Sequence, residues 1–188
     1  MVWSPLSPPP PFGEVAKTRW RAVPYTAGSG LDLGCGIQKL FDTEFVLGID
    51  NGAAVAQGAT VQANIRADVK ELTQFAVGAW DFVFSSFLLH QFPYKEVPAV
   101  LREWMRVIKI GGALVLYLPS ETCYPKCAEP EREIIAEPGA YPDQKWNVNY
   151  ERMVAAMEAV AYNWDLEYFE ACDADDEYAE FYVFRRLK

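Results

Sequence analysis

The sequence predicts an α/β fold with a doubly wound, mostly parallel sheet of seven strands, the last of them antiparallel. Short apolar segments alternate with helical patterns between residues 29 and 118, which favours parallel strands joined by right-handed crossovers. Three of these segments contain no polar residue, as expected of strands buried on both faces. Two further strand-like segments close the chain, and their short connection requires an antiparallel pair.

Size and charge restrict the possible functions. The 188 residues, 51% of them hydrophobic, fit one globular domain, because domains usually have about 100–200 residues. A net charge of −9 repels a phosphate backbone, so we expect no nucleic-acid partner. No apolar run approaches the roughly 20 residues of a membrane-spanning helix, and the N-terminus does not resemble a signal peptide. We therefore expect a cytoplasmic protein with no membrane partner.

The predicted domain, residues 14–188, follows a proline-rich tail at residues 1–13. Four consecutive prolines at positions 8–11 lack backbone donors and favour an extended chain. The domain begins with a short amphipathic helix over residues 14–23. The apolar face of this helix consists of Ala16, Trp20 and Val23.

The predicted strands have the length and apolar character of buried strands, the third being the weakest. They are residues 31–33, 45–49, 61–65, 82–84, 113–118, 165–169 and 180–185. The clearest helix covers residues 94–110, with Pro98 in its first turn and Gly111-Gly112 at its end. Its apolar residues are Val97, Leu101, Trp104 and Ile108.

The regular pattern stops after Leu118. Residues 119–147 are rich in proline and have no sustained period, which predicts a lid or an insertion. Another amphipathic helix is predicted over residues 150–162, with an apolar side of Met153, Val154, Met157 and Val160. Aromatic residues of this region either form a platform for an acceptor or anchor a long loop: Tyr124, Tyr141, Trp146 and Tyr150.

The four cysteines indicate a reducing compartment rather than a disulfide framework. Cys123 and Cys127 have the spacing of half a zinc site, but no second pair follows, and the only histidine, His90, is distant in the sequence. We expect no metal site.

The most informative motif is LDLGCG (31–36), a buried strand that runs directly into Gly-Cys-Gly. Glycines at the carboxyl end of a parallel strand let a ligand approach the backbone, so a nucleotide-like ligand is expected here. A dinucleotide-binding motif has a third glycine where this chain has Lys39. Asp50 ends the second strand fourteen residues after Gly36, and such a carboxylate accepts hydrogen bonds from ribose hydroxyls.

Further polar residues follow in order along the same predicted rim. Asp68 comes after the third strand, and Ser85 and Ser86 end the fourth. This succession resembles the class I S-adenosylmethionine-dependent methyltransferases, whose motifs are similar to LDLGCG, LGIDN, RADVKEL, WDFVFSSFLLHQF and LREWMRVIKIGGALVLYLP. The resemblance covers residues 28–119. It implies a Rossmann-like methyltransferase fold and S-adenosylmethionine as cofactor, with S-adenosylhomocysteine as product.

The resemblance also implies roles for individual residues, according to the part of the cofactor that each would face. Gly34, Cys35 and Gly36 would line the methionine and ribose portion, Asp50 would hold the ribose hydroxyls, and Asp68 with Val69 would contact adenine. Ser85, Ser86 and Phe87 would flank the methionine part and the reactive methyl. Asp32 and Asn51 complete the predicted cofactor-binding set.

The link between the glycine motif and the second strand, IQKLFDTE, has room for one helical turn. In this respect the chain is similar to short methyltransferase-like proteins of sugar and polysaccharide biosynthesis. Their fourth-strand loop commonly reads SSHxLEH, whereas this chain has SSFLLHQF, with His90 in place of the acid and Gln91 in place of the histidine.

Several of these residues also have a structural interpretation. Asp50 is placed to cap a helix that begins at Asn51, and Asp68 to cap one with Glu71 in a capping box. Cys35 fits as a small residue packed in the turn. His90 is either a general base, since its ordinary pKa lies near neutrality, or a loop residue without a chemical role.

The sequence therefore favours a methyltransferase that acts on a small-molecule or glycan-type acceptor. A non-catalytic module that binds an adenosyl ligand is the alternative, favoured by the short link and the altered loop. A nicotinamide-dependent dehydrogenase is the third hypothesis, and Lys39 in place of glycine argues against it.

Overall fold

The computed structural model describes residues 14–52, 60–120, 148–171 and 179–188. Within these ranges a six-stranded sheet packs against three α-helices. The strands are β1 (Gly30–Leu33), β2 (Val46–Ile49), β3 (Trp80–Ser86), β4 (Ile108–Pro119), β5 (Trp164–Glu170) and β6 (Ala179–Arg186). The helices are α1 (Glu14–Ala22), α2 (Val97–Val107) and α3 (Tyr150–Glu158).

The strand order is β2-β1-β3-β4-β6-β5. The strands β2, β1, β3 and β4 run parallel, whereas β6 runs antiparallel to β4 and β5. This confirms the predicted doubly wound, mostly parallel sheet with an antiparallel last strand. The winding changes direction at β1, which lies between β2 and β3. In such sheets the ligand crevice opens beyond the carboxyl ends of the strands at this point.

Both faces of the sheet are buried. The helices α2 and α3 cover one face, where Trp104 is fully buried and its indole N–H donates to the Val69 carbonyl at 2.9 Å. On the other face, Ala22 of α1 and Leu40 from the link after the glycine motif pack in the cluster that contains Phe84. The link itself contains no helix. One of the two faces is therefore covered partly by irregular chain.

Helix α2 has Pro98 in its first turn as predicted, but it is shorter than the predicted helix at both ends. It begins at Val97, after a 3₁₀ turn at Tyr94–Glu96, and it ends at Val107 rather than Ile110. Ile108 already pairs with Trp80 as the first residue of β4. The guanidinium of Arg186 donates to carbonyls at the end of α2, those of Met105, Arg106 and Ile108. Two of these carbonyls have further donors, since Met105 also accepts the Ile108 N–H and Arg106 also accepts the Gly78 N–H at 2.9 Å. Several bonds therefore satisfy the end of α2, and the helix stops before the two glycines because Ile108 already belongs to β4.

Two other expectations differ from the structure. Residues 61–65 form a single isolated bridge, from Ile65 to Ile49, instead of a strand. The reason is that the Gly48 N–H, on β2, is taken by the Asn64 side chain rather than by a backbone carbonyl. Helix α1 forms, but Trp20 does not face the core, since 61% of it is exposed.

Four predictions concern residues outside the described ranges. These are the proline-rich tail at 1–13, most of the 119–147 lid or insertion, the paired cysteines Cys123 and Cys127, and the aromatic group, of which only Tyr150 is described. The single-domain boundary at residue 14 likewise stays a prediction. Among the described helices, none is long and apolar enough to cross a bilayer.

Candidate functional site

The strand register brings the predicted site residues to one edge of the sheet. Leu33 at the end of β1 pairs with Ile49 of β2 and with Ser85 of β3. The residues that follow these three, Gly34, Asp50 and Ser86, therefore lie side by side at the carboxyl edge. This is the crevice position that the strand order creates.

The two glycines of the motif meet different surroundings, although both have positive φ. A Cβ on Gly34 (φ 73°) would lie 2.6 Å from Leu88 Cδ2, so the loop after β3 already fills that space. A Cβ on Gly36 (φ 52°) would have no atom of the described residues within 4 Å. Gly34 is required for packing against Leu88, whereas Gly36 leaves the backbone open to a ligand.

Asp50 is directed towards the glycine turn. Its Oδ2 accepts the Gly36 N–H at 2.9 Å, and its Oδ1 accepts the Gly52 N–H at 2.6 Å. A carboxylate has about four acceptor positions, so these bonds leave capacity for two more donors. Asn51 is exposed beside it, and residues 51 and 52 are not helical. The prediction that Asp50 caps a helix beginning at Asn51 is therefore wrong.

Asp32 lies beneath the turn rather than at its open side. It is 1% exposed, and its Oδ2 accepts the Leu40 N–H at 2.5 Å. Burial raises the pKa of Asp32 to about 7, opposed by the Leu40 bond and by Lys39, while the Asp50 charge raises it further. Asp32 supports the turn by holding the link that follows the turn.

Cys35 is a packed residue with a protonated thiol. Burial raises the pKa of Cys35 to about 12, and the charges of Asp32 and Asp50 raise it further. A Cβ on Gly48 would lie 2.8 Å from Cys35 Sγ, which shows how closely the thiol approaches β2. This geometry agrees with the structural interpretation of Cys35.

Asp68 and Val69, the two residues predicted to contact adenine, come shortly after Ile65, which bridges to Ile49 at the end of β2. The exposed Asp68 accepts the Lys70 N–H at 2.9 Å through Oδ1, which forms a local turn. No helix begins there, so the capping-box prediction with Glu71 is wrong. Val69 is buried.

The two serines that end β3 differ in their hydrogen bonds. Ser85 is fully buried, and its hydroxyl donates to the Leu33 carbonyl at 2.9 Å, linking β3 to β1. Ser86 is 8% exposed, and among the described residues its Oγ has no hydrogen-bond partner. A buried hydroxyl without a partner is costly, which makes Ser86 a candidate for contact with a ligand.

Phe87 and His90 form the apolar end of the edge. Phe87 has φ 51°, a conformation unusual for a bulky residue, and its N–H donates to the Tyr117 carbonyl at 2.9 Å. Its ring contacts those of Tyr117 and His90 edge to face, at 5.3 and 5.9 Å. His90 is fully buried, and burial lowers its pKa to about 4. Its imidazole is neutral at physiological pH.

Residues 62–65, which we call the edge segment, were predicted as part of a strand, but their contact with the glycine turn was not predicted. The Gln62 N–H donates to the Gly36 carbonyl at 2.8 Å, and the Asn64 N–H donates to the Gly48 carbonyl at 2.8 Å. Asn64 Oδ1 also accepts the Gly48 N–H at 2.8 Å. The signal in the sequence was an asparagine in a weak strand, where a side chain competes with backbone pairing.

A buried carboxylate at the end of β4 was also missed. Glu180 is 4% exposed and accepts hydroxyl bonds from Ser120, at 2.6 Å, and from Tyr182. Burial and the bond to Glu180 raise the pKa of Tyr182. Glu180 pairs with Leu118, so this cluster lies at the same carboxyl edge. An acid at the start of an otherwise apolar last strand is the sequence signal.

The residues at this edge fit an adenosyl cofactor on three observations. Gly36 has open space where a side chain would stand, Asp50 has unused acceptor capacity beside it, and the Ser86 hydroxyl is buried without a described partner. Among the described residues, no three His, Cys, Asp or Glu side chains are grouped as metal ligands. The expectation of no metal stays a prediction.

Part of the chain is similar to a known domain. A family model for a methyltransferase domain matches residues 31–116, which include β1, β2, β3 and most of β4. No curated protein matches the sequence.

Solved structures share the fold at low sequence identity. A SAM-dependent methyltransferase from Archaeoglobus fulgidus superposes with a TM-score of 0.65 and 16% identity, over 93% of this chain and 95% of that one. An S-adenosylmethionine-dependent methyltransferase from Mesorhizobium loti gives 0.63 and 17%, over 93% and 99%. The magnesium protoporphyrin IX methyltransferase from Synechocystis, solved with bound SAH, gives 0.60 and 14%, over 92% and 81%.

Proposed function

We propose that the chain is an S-adenosylmethionine-dependent methyltransferase, that Gly36 and Asp50 hold the cofactor, and that the acceptor is a small molecule or a glycan. The observation that carries the proposal is the bond from the Gly36 N–H to Asp50 Oδ2, with open space in front of the glycine. The carboxylate is thereby fixed beside exposed backbone, where the ribose hydroxyls of an adenosyl group can donate to it.

S-adenosylmethionine supplies an electrophilic methyl group on a sulfonium, so the protein has mainly to align the acceptor and exclude water. Asp50 fixes the orientation of the ribose. The Phe87 and Tyr117 rings provide an apolar wall near the end of β3. The Ser86 hydroxyl is available to the methionine part or to the acceptor.

His90 is the candidate general base, but its burial limits this role. A fully buried imidazole with a pKa of about 4 is a weak base at neutral pH, so it would assist proton removal little. Alignment of the acceptor and exclusion of water do not by themselves require a base. Asp68 and Val69 are proposed to border adenine.

The class of acceptor rests on charge. A net charge of −9 disfavours nucleic acid as the acceptor, because a phosphate backbone would be repelled. A small molecule or glycan carries no such penalty, and the likeness of the short link to proteins of sugar and polysaccharide biosynthesis points the same way. A cytoplasmic location stays a prediction from composition.

Asp50→Ala tests the cofactor role, because it removes the acceptor for the ribose and for the Gly36 and Gly52 amides. We expect affinity for S-adenosylhomocysteine, measured by isothermal titration calorimetry, to fall about 100-fold. Asp50→Asn, which keeps one acceptor oxygen, is expected to lose less.

Asp81→Asn is the matched control for Asp50. Asp81 also accepts a backbone amide, that of Ser29 at 2.9 Å, but it lies at the start of β3, the opposite edge of the sheet. This variant is expected to alter stability while leaving affinity unchanged. Unaltered affinity in Asp50→Ala would remove Asp50 from the site, and a wild-type protein that does not bind would overturn the proposed function.

A further inference from the structure

The link after the glycine turn is held by side chains. In the described residues between Gly34 and Phe45 there is no helix. Instead, Asp32 accepts the Leu40 N–H from below, and Arg19 Nε of α1 donates to the Leu40 carbonyl at 2.8 Å. The shape of the turn therefore depends on individual polar contacts.

Lys39 is the most unusual of these side chains, since it is only 7% exposed. Lysine is rarely buried unless its ammonium is paired. Lys39 Nζ lies 3.3 Å from Asn64 Oδ1 and 3.1 Å from Asp42 Oδ1. The Asp42 side chain is 90% exposed, and water weakens such a pair. The contact with Asn64 is the more shielded of the two.

The aliphatic part of Lys39 lies against β2. A Cβ on Gly48 would lie 2.9 Å from Lys39 Cδ and 3.2 Å from its Cγ, so Gly48 is needed to let the lysine cross the strand. The side chain thus runs from the link, over Gly48, to the edge segment. It connects the two pieces of chain that flank β2.

The edge segment is in turn hydrogen-bonded to the residues proposed to bind the cofactor. Asn64 holds both backbone polar groups of Gly48, and the Gln62 N–H holds the Gly36 carbonyl. The Asp50 N–H donates to the Ile65 carbonyl at 3.3 Å. Displacement of Asn64 would therefore disturb the Gly36 and Asp50 backbone together.

We propose that Lys39 is a positioning residue for the adenosyl cofactor, acting through Asn64 to hold Gly36 and Asp50 in register. This inference rests on the proposed function of the same edge. Lys39 stands where dinucleotide-binding motifs have a glycine. In this proposal its ammonium group supports the turn without touching the ligand. The charge of Lys39 also lowers the pKa values of Asp32 and Cys35 against the effect of burial.

The test is a double-variant cycle on affinity for S-adenosylhomocysteine, measured by isothermal titration calorimetry. Lys39→Met is expected to weaken binding about tenfold, and Asn64→Ala, which also frees the Gly48 amide, about 30-fold. If Lys39 acts through Asn64, the double variant binds no more weakly than Asn64→Ala. Losses that multiply to about 300-fold would show that Lys39 acts independently and would overturn the proposal.

Lys109→Met is the matched control, since Lys109 forms an ion pair with Asp81 at 2.7 Å on the opposite edge of the sheet. It is expected to leave affinity unchanged. Lys39→Gln, which keeps a polar end but shortens the side chain, is measured alongside Lys39→Met with the same expected loss. Hydrogen exchange of the free protein adds an independent readout: amides in the edge segment and at Gly48 are expected to exchange faster in both Lys39 variants.

The outcomes separate this proposal from the proposed function. A wild type that binds S-adenosylhomocysteine, together with unchanged affinity and unchanged exchange in the Lys39 variants, would remove only the role of Lys39. A wild type that does not bind would remove the proposed function and the role of Lys39 with it.

Discussion

The carboxyl edge of the sheet has two halves that differ in chemistry. The glycine-turn half, residues 34–36 and 48–52, presents backbone groups and a carboxylate with unused acceptor capacity. The aromatic half, residues 85–90 and 117–120, is buried and contains the Phe87, Tyr117 and His90 rings. The first half suits the polar hydroxyls of a ribose, and the second suits a methyl group that must be kept from water.

The difference indicates that the two halves have different tasks: one binds the cofactor through hydrogen bonds, and the other excludes water through apolar contacts. Directional hydrogen bonds fix the cofactor, and so they need few residues, each in a defined backbone conformation. Exclusion of water needs a continuous apolar wall, to which many residues contribute contacts. In either half, variants of a group that is open to the ligand should therefore act on binding, whereas variants of a packed residue should act mainly on stability.

The largest expected effect comes from the two glycines. Gly36→Ala places a methyl group in open space, so we expect folding to be retained with a strain of about 1–2 kcal/mol from the positive φ. The same methyl group would occupy ligand space, and affinity for S-adenosylhomocysteine should fall at least about 100-fold. Calorimetric titration and a urea denaturation curve measure the two effects separately.

Gly34→Ala is the matched variant, and it is expected to affect stability more than affinity. Its methyl group would meet Leu88 Cδ2 at 2.6 Å, so the loop must shift, and the free energy of unfolding should fall by about 2–4 kcal/mol. The loss should be smaller in a Leu88→Ala background, where that contact is absent. Equal stabilities for the Gly34 and Gly36 variants would contradict the assigned difference between the two glycines.

The adjacent serines give a smaller effect. Ser86→Ala removes a hydroxyl that has no described partner, so the stability of the free protein should stay the same or rise by up to about 1 kcal/mol. Ser85→Ala leaves the buried Leu33 carbonyl without its 2.9 Å donor and should cost about 1–2 kcal/mol.

For cofactor affinity the order of the two serines is reversed, and Ser86→Ala should have the larger effect. Removal of a hydroxyl that contacts the ligand is expected to weaken S-adenosylhomocysteine binding about tenfold in Ser86→Ala. A variant that is both less stable and unchanged in affinity would assign the Ser86 hydroxyl to the protein interior instead.

The comparison also explains what could be predicted from the sequence. The mostly parallel sheet and the position of Asp50 beside the glycine turn followed from buried strands and from the glycine motif, since both are local patterns with a fixed geometric consequence. The contact that closes one side of Gly34 could not be predicted, because Leu88 comes from the loop after β3, distant in the sequence. The edge segment was interpreted as a strand, because its apolar residues do not show that Asn64 takes a backbone amide of β2.

Contacts between distant residues also decided the ends of elements. Gly111 and Gly112 favoured a helix end at Ile110, but Ile108 pairs with Trp80 in the sheet, and the carbonyls at the end of α2 bind Arg186 of β6 and the Gly78 N–H. In the same way, the Glu180 cluster depends on hydroxyls from β4 and β6. Such pairings have no local pattern, so only the folded chain reveals them.

The smallest expected effect on function concerns His90 in the aromatic half. Its pKa in the folded protein is about 4, against an ordinary value of 6.5, because burial disfavours the cation. Between pH 6 and 8 the imidazole is therefore neutral, and we expect no inflection in a pH–activity profile from His90. The chain has one histidine, so a single Cε1–H resonance followed by NMR gives its pKa directly.

The same shift predicts how stability depends on pH. Because the folded pKa lies below the unfolded one, the stability contributed by neutral His90 is fully present above pH 6.5 and is lost as the pH falls towards 4. Between pH 7.5 and pH 5 the wild type should lose about 2 kcal/mol that His90→Leu does not lose, as measured by urea denaturation. A resonance that titrates near pH 6.5, with equal pH dependence in both proteins, would mean that the imidazole reaches solvent. His90 would then be accessible to an acceptor, and its imidazole would be basic enough to act as a general base.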